Sequence, residues 1–140
     1  MRFESFVDET MGVVVVKSPD AFRELYLEIE AFFGKQGFLA YDIMREICKE
    51  YENTILSMTG RASCNYLESD EFDESFGYDL AVARYHQKFE YYRAAVYQKI
   101  LNKLEDMMTI VNKRLNTSLD RYYNVHPEAI ESLIESYTQD

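Results

Sequence analysis

A row of apolar residues at steps of three and four constrains this chain more than any other feature. Residues at this spacing lie on one stripe of a single α-helix. The members of the row are Tyr85, Phe89, Tyr92, Val96, Ile100, Leu104, Met107, Val111 and Leu115. Their spacing averages about 3.75 residues, slightly above the 3.6 residues per turn of a straight helix, so any supercoil should be weakly right-handed or absent. The sequence therefore predicts a long central packing helix over residues 78–116.

The N-terminal residues 1–17 have the pattern of a β-hairpin. A turn-forming segment at residues 8–12 precedes an unbroken β-branched run, which is typical of a strand buried on both faces. A hairpin alone is only marginally stable in water. The run therefore has to lie on the helices, pair with a third strand at residues 65–68 or 121–125, or pair with another subunit. We take its members as a candidate oligomer interface: Val13, Val14, Val15 and Val16.

Two core-facing helices are expected between residues 18 and 60. Ser18 is a suitable cap and Pro19 a suitable first residue for one helix, which Gly34 is placed to end. The second helix should cover residues 38–58, with Gly60 after its end. Both helices carry their apolar residues on one face.

The C-terminal residues 117–140 are expected to form a connector over 117–125 and a last helix from Pro127. The helix is predicted because its apolar residues follow the i, i+3, i+4, i+7 pattern of one face. The whole sequence thus predicts one domain over residues 1–140. Its fold class is α+β, mainly α, a helical bundle of four main helices around one long central helix with a small N-terminal β-hairpin.

Periodicity is lost in residues 61–77, where five acids occur within seven residues. An EF-hand calcium loop needs oxygen ligands, a glycine and a glutamate at fixed positions, and this segment does not match that pattern. Two interpretations stay open: a solvated loop whose last acids favour the positive end of the long helix, or an acidic and aromatic contact patch. For the second we take as candidate partner-binding residues Tyr66, Glu68, Asp70, Glu71, Phe72, Asp73 and Glu74.

The sequence contains no motif that would identify a reaction. It lacks a glycine-rich phosphate loop, a nucleophile elbow, and the histidine and cysteine spacings of zinc sites. His86 and His126 are its two histidines, and Cys48 and Cys64 do not form a CxxC pair. We therefore expect no enzymatic activity, no cofactor and no metal requirement, with both cysteines reduced.

Charge is separated along the chain. The net charge of the 140 residues is −10, yet residues 78–116 hold seven bases and four acids. Like charges one helical turn apart, such as Glu24 with Glu28 and Arg84 with Lys88, repeat this separation. Pairing between helices inside the domain or a homodimer would explain the pattern, and so would an acidic surface that meets a basic partner. Direct nucleic-acid binding is disfavoured by the acidic balance.

These observations lead to three hypotheses about function. The first is a non-enzymatic acidic interaction protein that binds a basic protein surface, including as an inhibitor that competes with nucleic acid. The second is a homo-oligomeric structural or accessory subunit, joined through the valine strand or the long helix. The third is a small-molecule-binding protein, or an enzyme without a recognised motif, with its site between subunits. No apolar run of membrane length and no signal peptide are present, so a cytoplasmic location is expected.

Overall fold

A computed structural model of the protein describes residues 1–35, 37–64, 71–124 and 127–138. Within them, three strands and four helices follow one another along the chain. They are β1 (Glu4–Asp8), β2 (Val13–Lys17), α1 (Ala21–Phe33), α2 (Phe38–Leu56), β3 (Gly60–Ser63), α3 (Glu74–Asn124) and α4 (Pro127–Thr138). The predicted fold class is confirmed: the fold is mainly helical, with one long helix and a small N-terminal β element. The chain divides into two compact units, residues 1–101 and residues 102–140.

The strands form one antiparallel sheet in the order β1-β2-β3, so β2 lies in the middle. The turn between β1 and β2 is held by the Met11 amide, which donates to the Asp8 carboxylate at 3.1 Å, and by Gly12, whose φ of +63° favours glycine. The third strand differs from both predicted segments. Residues 121–124 belong to α3, and residues 65–68 lie outside the described residues.

Helix α3 lies against the sheet because small residues let the two backbones approach. A Cβ atom on Gly60 of β3 would stand 2.0 Å from the Ala81 carbonyl oxygen of α3. A Cβ on Gly77 would stand 2.9 Å from a methyl group of Val14. Glycine at both positions therefore sets how closely α3 packs on this face of the sheet.

The core of the first unit forms between this sheet face and α1, α2 and the first part of α3. Tyr85 is its largest fully buried side chain, and the ring of Phe3 meets it edge to face at 5.2 Å. Strands β2 and β3 bury alternate side chains and α1 buries one per turn, as their periodicities require, whereas every residue of β1 is exposed. Other members include Val14, Val16, Leu25, Ile29, Met44, Ile47, Ile55, Val96 and Ile100.

Several predicted boundaries differ from the observed ones. Helix α1 begins at Ala21 rather than at Pro19, because Ser18 accepts a hydrogen bond from the Asp20 amide at 3.2 Å in a turn that precedes the helix. The predicted connector over residues 117–125 is wrong for residues 117–124, which continue α3. No proline or glycine occurs between Gly77 and Pro127, so nothing in that stretch forces the helix to end. None of the described helices is long and apolar enough to cross a membrane.

Candidate interaction surfaces

The apolar stripe of α3 is buried in the first unit and exposed in the second. In the first unit Tyr85 and Val96 are 0% exposed and Ile100 is 2% exposed. In the second unit Val111 is 62% exposed and Leu115 is 52% exposed. The same sequence pattern thus continues from a packed helix face onto one that the described residues leave open.

We call the exposed part the distal stripe. At 100° per residue its members lie within a sector of about 80° on one side of α3. They are Leu104, Met108, Val111, Leu115, Leu119 and Tyr122. Leu104 is half-buried and the other five are exposed. The stripe runs over 18 residue steps, which is about 27 Å of helix.

Helix α4 has an apolar side that is equally open. Its four large apolar residues follow the spacing of one helix face, and Tyr137 is 84% exposed. We call these residues the α4 face: Ile130, Leu133, Ile134 and Tyr137. Every described residue of α4 is exposed, so α4 does not cover the distal stripe of its own chain.

Charged residues border the two apolar surfaces unequally. Viewed down α3 from its N-terminus, Lys103, Arg114 and Arg121 lie about 100–120° to one side of the middle of the distal stripe. We call these three residues the basic flank. On α4, two acids lie about 110° and 150° from the middle of the α4 face on the opposite side, and Glu128 lies on the back of the helix. We call the two the acidic flank: Glu131 and Glu135.

A second surface lies in the first unit, where α3 begins. A cleft of about 250 Å³ opens between the hairpin turn, the end of β3 and the first turn of α3. Of the candidate partner-binding residues, Glu71, Phe72 and Asp73 line it, and Phe76 joins them with 66% of its surface exposed. Glu74 is exposed on the first turn of α3 and does not line the cleft. Tyr66, Glu68 and Asp70 lie outside the described residues.

Asp73 has a structural role at this cleft. Its carboxylate accepts a hydrogen bond from the Phe76 amide at 3.0 Å, and its carbonyl accepts one from the Gly77 amide at 2.9 Å. Asp73 is therefore the N-cap of α3. One of the acids predicted for partner binding thus also holds the start of the long helix.

The candidate oligomer interface lies in the central strand. Val14 and Val16 are 0% exposed against the core, while Val13 and Val15 are half-buried on the opposite face. Both backbone edges of β2 pair within the chain, with β1 and with β3. Pairing of this strand with another subunit therefore has no free edge, and an interface here would have to use the partly accessible side chains of Val13 and Val15.

Cations of α3 in the first unit bind to its own neighbours. Arg84 donates to the Arg61 carbonyl at 2.8 Å, and Lys88 donates to the Thr59 carbonyl at 2.7 Å. Two ion pairs join α3 to other helices, Arg93 with Glu28 of α1 and Lys99 with Glu50 of α2. The hydrogen bond from Arg93 lowers the pKa of the Glu28 carboxyl. Pairing between helices thus accounts for part of the separated charge.

Groups that could support catalysis are scarce among the described residues. No cluster of three or more histidine, cysteine, aspartate or glutamate side chains there could hold a metal ion. Cys48 is buried, and burial raises the pKa of its thiol to about 11, which disfavours the reactive thiolate. The absence of a metal requirement and of enzymatic activity stays a prediction.

The sequence predicted that Leu104, Val111 and Leu115 pack in the core, because a periodic pattern does not tell which surface will cover it. Leu119 and Tyr122 were assigned to the connector over residues 117–125. The unequal flanks of α3 and α4 were readable from the sequence and could have indicated an intermolecular contact. Comparison with known proteins gives no match: no family model, no curated protein and no solved structure corresponds to this chain.

Proposed function

We propose that this chain is a non-enzymatic protein-interaction module whose binding surface is the distal stripe together with the α4 face. One observation carries the proposal: the apolar stripe of α3 continues past Leu101, but all its members there except the half-buried Leu104 are exposed, with Val111 at 62% and Tyr122 at 73%. Contiguous apolar surface of this kind marks interaction sites on soluble proteins. The proposal includes a cytoplasmic location, with which the thiol state of Cys48 and Cys64 agrees.

Helix energetics support the same conclusion. Most of the stability of a protein helix comes from packing of its apolar face, and an isolated helix of about 12–15 residues is marginal in water. Helix α4 has twelve residues, and none of those described is buried. A partner that covers both apolar surfaces would supply the packing that these helices otherwise lack.

A second candidate function is supported by the cleft at the start of α3. There the exposed ring of Phe76 lies beside the carboxylates of Glu71 and Asp73. An aromatic anchor with nearby acids suits a basic segment of another protein, because the charges speed encounter and the ring slows dissociation. This is the acidic-surface hypothesis in a more local form, and its binding residues would be Glu71, Phe72 and Phe76.

Site-specific photo-crosslinking in the native host separates these candidates. A photoreactive residue is placed in the full chain at Leu115 on the distal stripe, at Phe76 in the cleft, or at Leu27 of α1 as a control. Leu27 is 48% exposed, close to the 52% of Leu115, so accessibility is matched. We expect a discrete adduct from position 115 and none from position 27.

The adduct must also depend on the apolar surface. Introducing Val111→Asp into the chain that carries the probe at position 115 should abolish it, while the far-ultraviolet circular dichroism should stay unchanged because Val111 is largely exposed. No adduct at position 115, or one that persists in the Val111→Asp chain, would overturn the proposal. An adduct from position 76 alone would establish the second candidate instead.

A further inference from the structure

We infer that the occupant of the distal stripe is α4 of a second copy of this chain, so that two copies exchange their α4 helices in a homodimer. This inference rests on the proposed function, because it names the partner of the same surface. In the dimer, the α4 face of each copy covers the distal stripe of the other, and the acidic flank of one copy adjoins the basic flank of its partner.

The exposed area is sufficient for such a dimer. Full burial of an aliphatic side chain removes roughly 60–120 Å² of apolar surface, and of an aromatic one about 150–250 Å². The ten side chains of the distal stripe and the α4 face, most of them about half to three-quarters exposed, therefore offer on the order of 500–900 Å² per copy. A stable interface of standard size buries about 800 Å² per partner.

Charge favours contact between these two elements across copies. Two chains of net charge −10 repel each other over most of their surfaces. Residues 102–124 carry four bases and three acids, whereas residues 127–138 carry three acids and no base. The α3 segment of one copy and α4 of the other therefore attract each other.

The side of each apolar surface on which the charged flank lies decides whether α4 comes from the same copy or from a second one. Side chains advance in the same rotational sense along every right-handed helix. When two helices pack with their apolar faces together, opposite flanks adjoin if the helices are parallel, and equivalent flanks adjoin if they are antiparallel. The basic flank of α3 and the acidic flank of α4 lie on opposite sides of their apolar surfaces, so they meet only in a parallel pair.

A fold-back of α4 onto its own α3 would be antiparallel, because only two residues separate the two helices. It would place Glu131 beside the flank of α3 that holds Glu105, and it would place the small residues Ala129 and Ser136 beside the basic flank. The chain does not adopt this arrangement, since every described residue of α4 is exposed.

Helix α4 of a second copy is free of that constraint and can lie parallel to the distal stripe. Its twelve residues extend about 18 Å and fit within the 27 Å of the stripe. Glu131 and Glu135 then lie beside the side of α3 that carries Arg114 and Arg121. The contact occurs twice in a two-fold dimer, which makes the interface self-complementary.

Complementary charge reversals test the exchange. Variant A carries Arg114→Glu and Arg121→Glu, and variant B carries Glu131→Lys and Glu135→Lys. A control carries Lys113→Glu, a single charge reversal on the side of α3 opposite the distal stripe, and it is compared with Arg114→Glu alone. Sedimentation equilibrium of each full-length chain, and of A and B mixed in equal amounts, gives the dimer dissociation constants.

We expect the wild type and the control to dimerise. The dimer dissociation constants of A alone and of B alone should be at least about tenfold higher than that of the wild type, because like charges then face each other at the contact. The A and B mixture should recover wild-type affinity as a heterodimer, since each contact then joins opposite charges. Fold-back within one chain predicts no recovery on mixing, and a contact between the two α3 helices alone predicts that B dimerises normally. Either result would overturn the exchange.

The two proposals fail in different ways. A purified wild type that stays monomeric, while the probe at position 115 still gives an adduct of another mass in cells, would overturn the exchange and leave the interaction function standing. A monomeric wild type together with no adduct from position 115 would overturn both proposals.

Discussion

Two valines on the same stripe of α3 allow a direct test of the difference between its two parts. Val96 is 0% exposed in the first unit, and Val111 is 62% exposed in the second. Replacing either by alanine removes the same two methyl groups from the same helix. The gain in helix propensity, at most about 0.7 kcal/mol, is common to both and cancels in the comparison.

For Val96→Ala, the lost transfer free energy is about 1.6 kcal/mol, and the cavity left in a packed core adds about 1 kcal/mol. After the propensity gain, we expect unfolding to be easier by about 2 kcal/mol. For Val111→Ala, the small loss of residual burial, about 0.6 kcal/mol, is offset by the propensity gain, so the net change should lie near zero.

Urea unfolding at a concentration low enough to keep the chain monomeric measures the difference. Near-ultraviolet circular dichroism follows the first unit, where Tyr85 is fully buried. The midpoint for Val96→Ala should fall by roughly 1 M, and that for Val111→Ala should stay within error of the wild type. Equal shifts for the two variants would refute the division of the stripe into a packed part and an open part.

Three further predictions concern the first unit. Gly60→Ala should destabilise the protein by about 1–3 kcal/mol or more, measured by the same urea unfolding, because its Cβ would stand 2.0 Å from the Ala81 carbonyl oxygen. Asp73→Ala should cost about 1 kcal/mol through loss of the α3 cap, while Asp73→Asn should cost little because asparagine also caps helices. The Arg2 guanidinium lowers the pKa of the Asp20 carboxyl to about 2. A carboxyl whose pKa is lowered by folding stabilises the folded state at pH values above its unfolded pKa, which is about 3.9 for aspartate. The thermal unfolding midpoint of Arg2→Ala should therefore lie below that of the wild type at pH 7, and the two midpoints should converge as the pH falls from about 4 to 2.

The sequence was sufficient for the parts of the fold that local chemistry decides. Pro127 marked the start of α4, and the spacing of the α3 stripe predicted one long helix. It did not predict β3, because Gly60–Ser63 has a low β propensity and forms a strand through its approach to α3 and its pairing with β2. The connector over residues 117–125 was predicted because Lys113 and Arg114 suit the last turn of a helix, but an exposed helix side tolerates such residues in its interior as well.

The candidate surfaces were less predictable, since they depend on what is left uncovered after folding. A contact patch was one of two interpretations of the acidic and aromatic segment, and three of its residues line a cleft. Their role in partner binding stays a prediction. The capping role of Asp73 was not predicted. The long helix was expected to begin at residue 78, whereas α3 begins at Glu74, directly after Asp73. Buried and exposed apolar positions of α3 follow the same periodicity, so only the structure could separate Val96 from Val111.

Like-charged neighbours on single helices indicate where the missing contacts of α4 lie. Glu24 and Glu28 stand one turn apart on α1, which costs roughly 0.2–0.5 kcal/mol locally. The fold compensates for this pair from other elements, with the N-terminal amine at Glu24 and with Arg93 of α3 at Glu28. Glu131 and Glu135 repeat the arrangement on α4, but within the described residues neither carboxylate has a cation beside it. If the same physical compensation holds there, the cations must come from another molecule, and the basic flank of a second copy lies on the correct side of its apolar stripe to supply them in a parallel pair.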